Sequence, residues 1–527
     1  MREFLLLTVV AWALAAVANA QTSVLTYHND NARTGLNSAE TVLTPANVNA
    51  SRFGKLFSLG VDADVYAQPL YVSQLALVGH GTHNVVFIAT EADSLYAFDA
   101  DDAAGVPLWH VSLLDSAHGA TAGATPVDGR PDLNCGTISP RVGITATPVI
   151  DLARKTLYVE SFSKEAGGLI HRLHALDLAS GAEKKGSPVP VTARVRDDQA
   201  DIQFDSAREL ARAGLLLTHD RVYVSYGSSC DRPRYQGWVL AYDAATLAEA
   251  GTFVTAREHG KAAIWMSGAA PAADSAGNVF LATGDGWFDT AMTPPRELGD
   301  SILKIGARPG KLVLADYFTP YNQLSLARHD GDLGSGGVLL LPDQAGPHAH
   351  LLIEAGKAGT VYLVDRDLMT SGNLHYCADC TSNRQIAQEL PGAISGGVWG
   401  APVYWNHTVY YSGSGDPLRG FSLQQGRLQA APAAASRDRC GYPGCGLSLS
   451  ANGSRDGILW ALQPGDWQPV VLAAYDAGDL TRLLYASDQH RDRDLAGGAL
   501  KFLVPTIANG KVYVGGAHQV TVFGLIP

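Results

Sequence analysis

Val85-Val86-Phe87-Ile88-Ala89-Thr90, then Tyr96-Ala97-Phe98-Asp99, then Pro107-Leu108-Trp109-His110-Val111 form one stretch of three apolar strands separated by turn residues. Its middle phrase returns along the chain. Ala97-Phe98-Asp99, Ala175-Leu176-Asp177, Ala241-Tyr242-Asp243, Val364-Asp365 and Ala474-Tyr475-Asp476 each close a strand and open a turn. The strand ahead of it also recurs, as Thr156-Leu157-Tyr158-Val159 and Arg221-Val222-Tyr223-Val224. Self-similarity at spacings of roughly 40–60 residues is the signature of a propeller or solenoid.

The repeating unit reads as a four-stranded β-meander. A first strand often carries proline, as in Gln68-Pro69-Leu70-Tyr71-Val72, Thr147-Pro148-Val149-Ile150 and Ala401-Pro402-Val403-Tyr404. The second ends in small residues, as in Phe280-Leu281-Ala282-Thr283-Gly284. Glycine at strand ends suits crowding near an axis or a sharp turn. Units are placed near 68–113, 143–193, 214–255, 263–320, 333–369, 394–432 and 443–487. The C-terminal piece, 502–526, has three strands only. The segment Phe53 to Gly60 looks like the missing fourth, so it is expected to close the ring and remove exposed edges. The expected fold is an all-β, eight-bladed propeller of antiparallel blades, with seven blades if one degenerate unit is miscounted.

The whole chain bounds the setting. Met1-Arg2, the apolar stretch Leu5 to Val17 and Ala18-Asn19-Ala20 read as a signal peptide over 1–20, leaving Gln21 first in the mature chain. The apolar run falls short of the ~20 residues a membrane span needs. Residues 21–52 read as an arm and 53–527 as the propeller. The 527 residues carry a net charge of −12 without a basic run, which argues against nucleic acid or an anionic membrane as partner. Six cysteines in an exported chain read as disulfides, in a periplasmic or extracellular setting. A monomer is expected.

Loop lengths are uneven. Insertions at Leu114 to Val142, Asp285 to Gly299, Tyr321 to Asp332, Thr370 to Ile394 and Asp488 to Lys501 are assigned to second-to-third-strand or interblade loops, which share one face. Long loops on one face of a rigid scaffold point to a binding surface. All six cysteines are assigned there too. The simplest connectivity joins Cys377 with Cys380, Cys440 with Cys445, and Cys135 with Cys230, among the many pairings six cysteines allow.

The repeats and their Asp turns resemble the pyrrolo-quinoline quinone (PQQ) repeat family, which spans quinoprotein alcohol dehydrogenases and cofactor-free propellers of outer-membrane assembly factors. Ala97-Phe98-Asp99 through Gly105 to Leu108-Trp109 is the cleanest match, with its docking tryptophan. The resemblance implies a propeller fold, and for the dehydrogenase branch PQQ with Ca²⁺. Departures from that branch are plain: no two cysteines are adjacent, and Cys377-Ala378-Asp379-Cys380 is followed by Thr381, not the histidine of a haem attachment site.

Candidate chemistry lies on the long-loop face. Gly284-Asp285-Gly286-Trp287-Phe288-Asp289 offers an aromatic floor and two carboxylates, Asp285 and Asp289, for Ca²⁺ or a base; a turn with a packed aromatic is the structural alternative. Trp265 and Trp399 precede innermost strands, where a large side chain either plugs the channel or floors a site. Lys357 is a candidate quinone or carboxylate contact, and otherwise a solvated turn lysine. Asp332 and Asp416 add acids near the rim. His348-Ala349-His350 is a metal pair or a packed pair, and Cys377-x-x-Cys380 a redox or a structural disulfide. Two functions follow: a binding scaffold for a polymer, glycan or protein on the long-loop face, or a PQQ- and Ca²⁺-dependent dehydrogenase acting on an alcohol or sugar.

Overall fold

Eight antiparallel sheets stand in a ring around an axis. The computed structural model describes residues 22–196, 201–232, 234–290, 292–464 and 469–527. The proposed signal segment and Gln21 lie outside the described residues. The first blade runs Leu70–Leu77, Gly81–Ala89, Ser94–Asp99 and Pro107–Ser112, from axis to rim. In the eighth blade Thr506–Ala508, Lys511–Gly516 and Gln519–Leu525 are completed by Phe53–Gly60, paired antiparallel from Phe53 opposite Leu525 to Gly60 opposite Gln519. Ends of the chain far apart in sequence thus share one sheet, and the ring has no free edge at its seam.

The recurring aspartate works locally. Asp99, Asp177, Asp243, Asp365 and Asp476 each accept, through Oδ1, the backbone N–H two residues on. This is the Asx turn that lets the chain reverse between third and fourth strands. The residue after the aspartate then serves the neighbouring blade. Trp109 Nε1 donates to the carbonyl of Leu178 at 3.1 Å, and Tyr410 Oη to that of Ala477 at 2.7 Å. Tyr158 donates likewise to Ala244, so one turn design ties three pairs of blades together. Gly181 is required there, since a Cβ would stand 2.9 Å from the Trp109 ring.

Two boundaries differ from the sequence reading. Gln388–Leu390 pairs with Val361–Asp365 and is the outer strand of the fifth blade. The segment between them is therefore a third-to-fourth-strand connection, not an interblade loop, and Cys377 and Cys380 belong within blade five. This connection climbs the outer side of blade four, where His375 stacks on Tyr317 at 4.2 Å. A three-residue strand after a long excursion has no periodic signal of its own. The sixth blade's outer strand, Ala434–Arg439, likewise lies just past residue 432.

Residues 22–39 thread the axial channel and touch the innermost strand of every blade in turn. Val24 and Tyr71 exchange backbone hydrogen bonds in blade one, and Leu25 O accepts from Ile150 in blade two. Asn31 reaches Leu217 O with its side chain and accepts from Ala273 through its carbonyl, in blades three and four. Ala32 accepts from Leu340, Thr34 from Tyr404 and Gly35 from Leu449, while Asn37 Nδ2 donates to Ile507 O. Arg33, fully buried, holds this turn together by donating to the carbonyls of Pro271, Tyr27 and Asp30 and to Thr26 Oγ1. The first-strand edges facing the axis would otherwise be unpaired.

Candidate functional site

Above this plug the loop-bearing face holds an axial pocket of about 480 Å³. Its wall is drawn from interblade loops and from second-to-third-strand loops. Leu133, Cys135, Thr137 and Ile138 come from the loop between blades one and two, Cys230, Asp231 and Tyr235 from blade three. The disulfide between Cys135 and Cys230 joins these two loops across 95 residues of chain, with Cα atoms 5.6 Å apart. A second disulfide, Cys440–Cys445, closes the loop that carries Tyr442 to the pocket mouth. Covalent ties of this kind hold the wall in place before any ligand arrives.

One side of the pocket is a charged lattice. Lys357 Nζ stands 2.7 Å from Asp332 Oδ2 and 2.7 Å from Asp330 Oδ1. Asp332 Oδ1 accepts the backbone N–H of Asp285 at 2.6 Å, and Asp285 is itself paired with Lys261 and bonded by Tyr235 Oη at 3.1 Å. Burial pushes the Asp332 carboxyl above its usual value, against the pull of Lys357. Burial works against the Lys357 charge as well, but Asp332 and Asp330 outweigh it and leave the ammonium above its ordinary range. Gly284 makes the lattice possible: a Cβ there would stand 2.8 Å from Asp332 Oδ1 and 3.1 Å from Trp265 Nε1.

The other side is aromatic and cationic. The Arg212 guanidinium lies against both Trp265 and Phe502, 4.9 and 5.0 Å from their ring centres, and the two rings meet edge to face at 6.5 Å. Only 8 % of Arg212 is exposed, and its Nη2 has no hydrogen-bond partner among the described residues. Burial lowers its pKa to about 10. A guanidinium that lines a cavity offers an anion charge and donors in one group. Trp399 meets Tyr442 edge to face at 5.4 Å, and Lys501 Nζ lies 5.4 Å from the Tyr442 ring centre.

Of the sequence candidates, Trp265, Trp399, Asp285, Lys357 and Asp332 line this one pocket. Trp287 does not: it is 57 % exposed and leans on His259 at the rim, and Asp289 lies beside it. Asp416 is buried in a bidentate pair with Arg419 and braces the Ser395 turn. His348 and His350 pair with separate carboxylates, Asp365 at 2.8 Å and Asp367 at 2.7 Å. Arg212, Tyr442, Phe502 and Lys501 were missed by sequence reading. Arg212 sits in Leu210-Ala211-Arg212-Ala213-Gly214-Leu215, one cation among apolar and small residues, which is the one local signal that marked it.

The residues fit a carboxylate better than a resident divalent ion. Asp285 and Asp332 are already engaged by Lys261 and Lys357, and among the described residues no three His, Cys, Asp or Glu side chains converge as a metal cluster. A calcium ion would have to displace both ammonium groups.

No family model matches the sequence, and no curated protein matches it significantly. Solved structures resemble it in fold. A quinohemoprotein alcohol dehydrogenase from Pseudomonas putida HK5 aligns over 98 % of this chain and 82 % of its own, at 14 % identity and a TM-score of 0.58. A europium-containing methanol dehydrogenase aligns over 96 % of this chain and 98 % of its own, at 11 % identity and a TM-score of 0.58. BamB from Moraxella catarrhalis aligns over 90 % of this chain and 97 % of its own, at 15 % identity and a TM-score of 0.48. The first two likenesses are of fold, and fold alone carries no activity.

Proposed function

We propose that this chain is an exported binding propeller whose axial pocket, on the long-loop face, takes a carboxylate-bearing ligand. The observation that carries the reading is Arg212, a largely buried guanidinium that packs against two aromatic rings and lines the pocket. A carboxylate supplies an acceptor and a balancing charge in one group. Mixed carboxylates and aromatics on the wall suit a polar, ring-containing body attached to that acid. Three disulfides agree with an oxidising compartment.

The quinoprotein reading has one observation in its favour: Trp265, Lys357, Asp285 and Asp332 share the pocket. A PQQ-type quinone is itself a flat polycarboxylate, and Arg212 with Lys357 would hold its acidic groups. When bound, such a quinone would supply two-electron oxidation. The chain's own contribution there is to orient the acid on Arg212 and to exclude water with Trp265 and Phe502.

Thermal unfolding and calorimetric titration decide between them, with D-glucuronate, glucose, PQQ in chelator and PQQ with Ca²⁺. At about 100 times its dissociation constant a ligand adds roughly 2.7 kcal/mol, which for a chain of this length is about 3 °C. Binding of glucuronate or of PQQ in chelator, lost in Arg212→Met and absent for glucose, supports the proposal. Binding of PQQ only with Ca²⁺ overturns it in favour of the quinoprotein reading. Binding that ignores the acid, or survives Arg212→Met, overturns it as well.

A further inference from the structure

The axial pocket is one end of a longer groove. A second cavity of about 400 Å³ shares Thr137, Tyr442 and Lys501 with the first and runs outward past Tyr66 to His518. A third, of about 170 Å³, continues from Asp64, Pro140 and His518 toward Arg141. Each of the first two is by itself the size of a small-ligand site. Joined, they describe an elongated ligand whose end lies on the axis.

Tyr442 stands at the junction. It is 57 % exposed, on the tip of the loop Cys440-Gly441-Tyr442-Pro443-Gly444-Cys445, closed by a disulfide five residues apart. An exposed aromatic on a covalently closed loop presents a ring face at little ordering cost. Trp399 braces it from the side and Lys501 lies over its ring. Polar groups flank it: Ser139 outward, Asp231 and Asp330 inward, and Thr137 bordering both cavities. Alternation of ring faces with hydroxyl acceptors is what a pyranose chain needs. An extended peptide is disfavoured because the closed ring presents no strand edge at its seam to extend.

We infer that the groove binds an acidic oligosaccharide, with a terminal uronate on Arg212 and the following sugar stacked on Tyr442. This rests on the axial-pocket reading above and names its substrate class. The test is calorimetric titration of oligogalacturonates of one to five residues against the wild type, Tyr442→Ala, Tyr442→Phe and Arg212→Met.

Affinity is expected to rise with chain length. Tyr442→Ala loses about tenfold (~1.4 kcal/mol) on the tetramer and less than twofold on the monomer, and Tyr442→Phe keeps both. Arg212→Met loses every member of the series. A flat length profile, or an equal loss on monomer and tetramer in Tyr442→Ala, overturns the groove inference while leaving an Arg212-dependent monomer site standing. Absence of monomer binding, with no effect of Arg212→Met, overturns both.

Discussion

Replacing Arg212 by methionine should make the unliganded protein more stable while removing its ligand response. In the folded state burial lowers the Arg212 pKa from 12.5 to about 10. That shift corresponds to on the order of 3 kcal/mol spent keeping the charge in a poor environment. The folded value lies below the unfolded one, so the penalty is fully present below pH 10 and fades only as pH rises toward 12.5. Against it stand the contacts with Trp265 and Phe502, about 1–2 kcal/mol together. Methionine keeps much of the stem's packing. The net gain for Arg212→Met is about 1–2 kcal/mol, or about 1–2 °C for a chain of this length. Differential scanning fluorimetry at pH 7, with urea unfolding alongside, reads it. A variant melting several degrees below the wild type refutes the reasoning, since the guanidinium would then be a structural keystone and not a site held ready for an anion.

Three further outcomes are expected. The double variant Cys135→Ser/Cys230→Ser opens a 95-residue loop; chain entropy puts the cost at about 4–5 kcal/mol, read as a fall in melting temperature that reductant reproduces in the wild type. Arg33→Met strands four acceptors in the axial plug and should cost about 3 kcal/mol, and a urea midpoint equal to the wild type's would contradict the clasp role. Burial pushes the Glu91 carboxyl from 4.5 up to about 8, with Gly143 N–H and Thr145 Oγ1 donating to one oxygen only. The folded state therefore holds a proton the unfolded chain has lost between those values, and stability falls as pH rises through that window. Glu91→Gln should flatten the profile between pH 5 and 8, and parallel profiles by urea titration would count against it.

How far the sequence could be read depends on how local each feature is. The Asp turns are legible because an Asx turn is made by one side chain and an N–H two residues away, so Asp99 and Asp476 carry the same signature without reference to a partner. The disulfides at Cys377–Cys380 and Cys440–Cys445 are short-range in the same way. Counting residues between strands places four of the five insertions on the long-loop face, but not Thr370 to Ile394, which with Cys377 and Cys380 joins the third and fourth strands of blade five. The fifth blade's outer strand was not legible, because Gln388–Leu390 is recognisable only by what it pairs with.

The sequence by itself determined the propeller and its seam, and counted eight units with seven left open, because apolar alternation and turn chemistry repeat with the blade and need no knowledge of distant residues. Phe53 to Gly60 could be matched to the last blade for the same reason: an incomplete unit advertises what it lacks. Only the tertiary structure decided which residues form the site. Arg212, Trp265, Lys357, Tyr442 and Phe502 come from separate loops spread over 290 residues, and each loop read alone is an ordinary turn. Trp287 has the stronger local motif and lies outside the pocket, while Arg212 has almost none and lines it. The circuit of residues 22–39 through all eight blades likewise depends on the closed channel, which exists only once the ring is formed. Convergence around an axis is a property of the closed ring, and no window of sequence contains it.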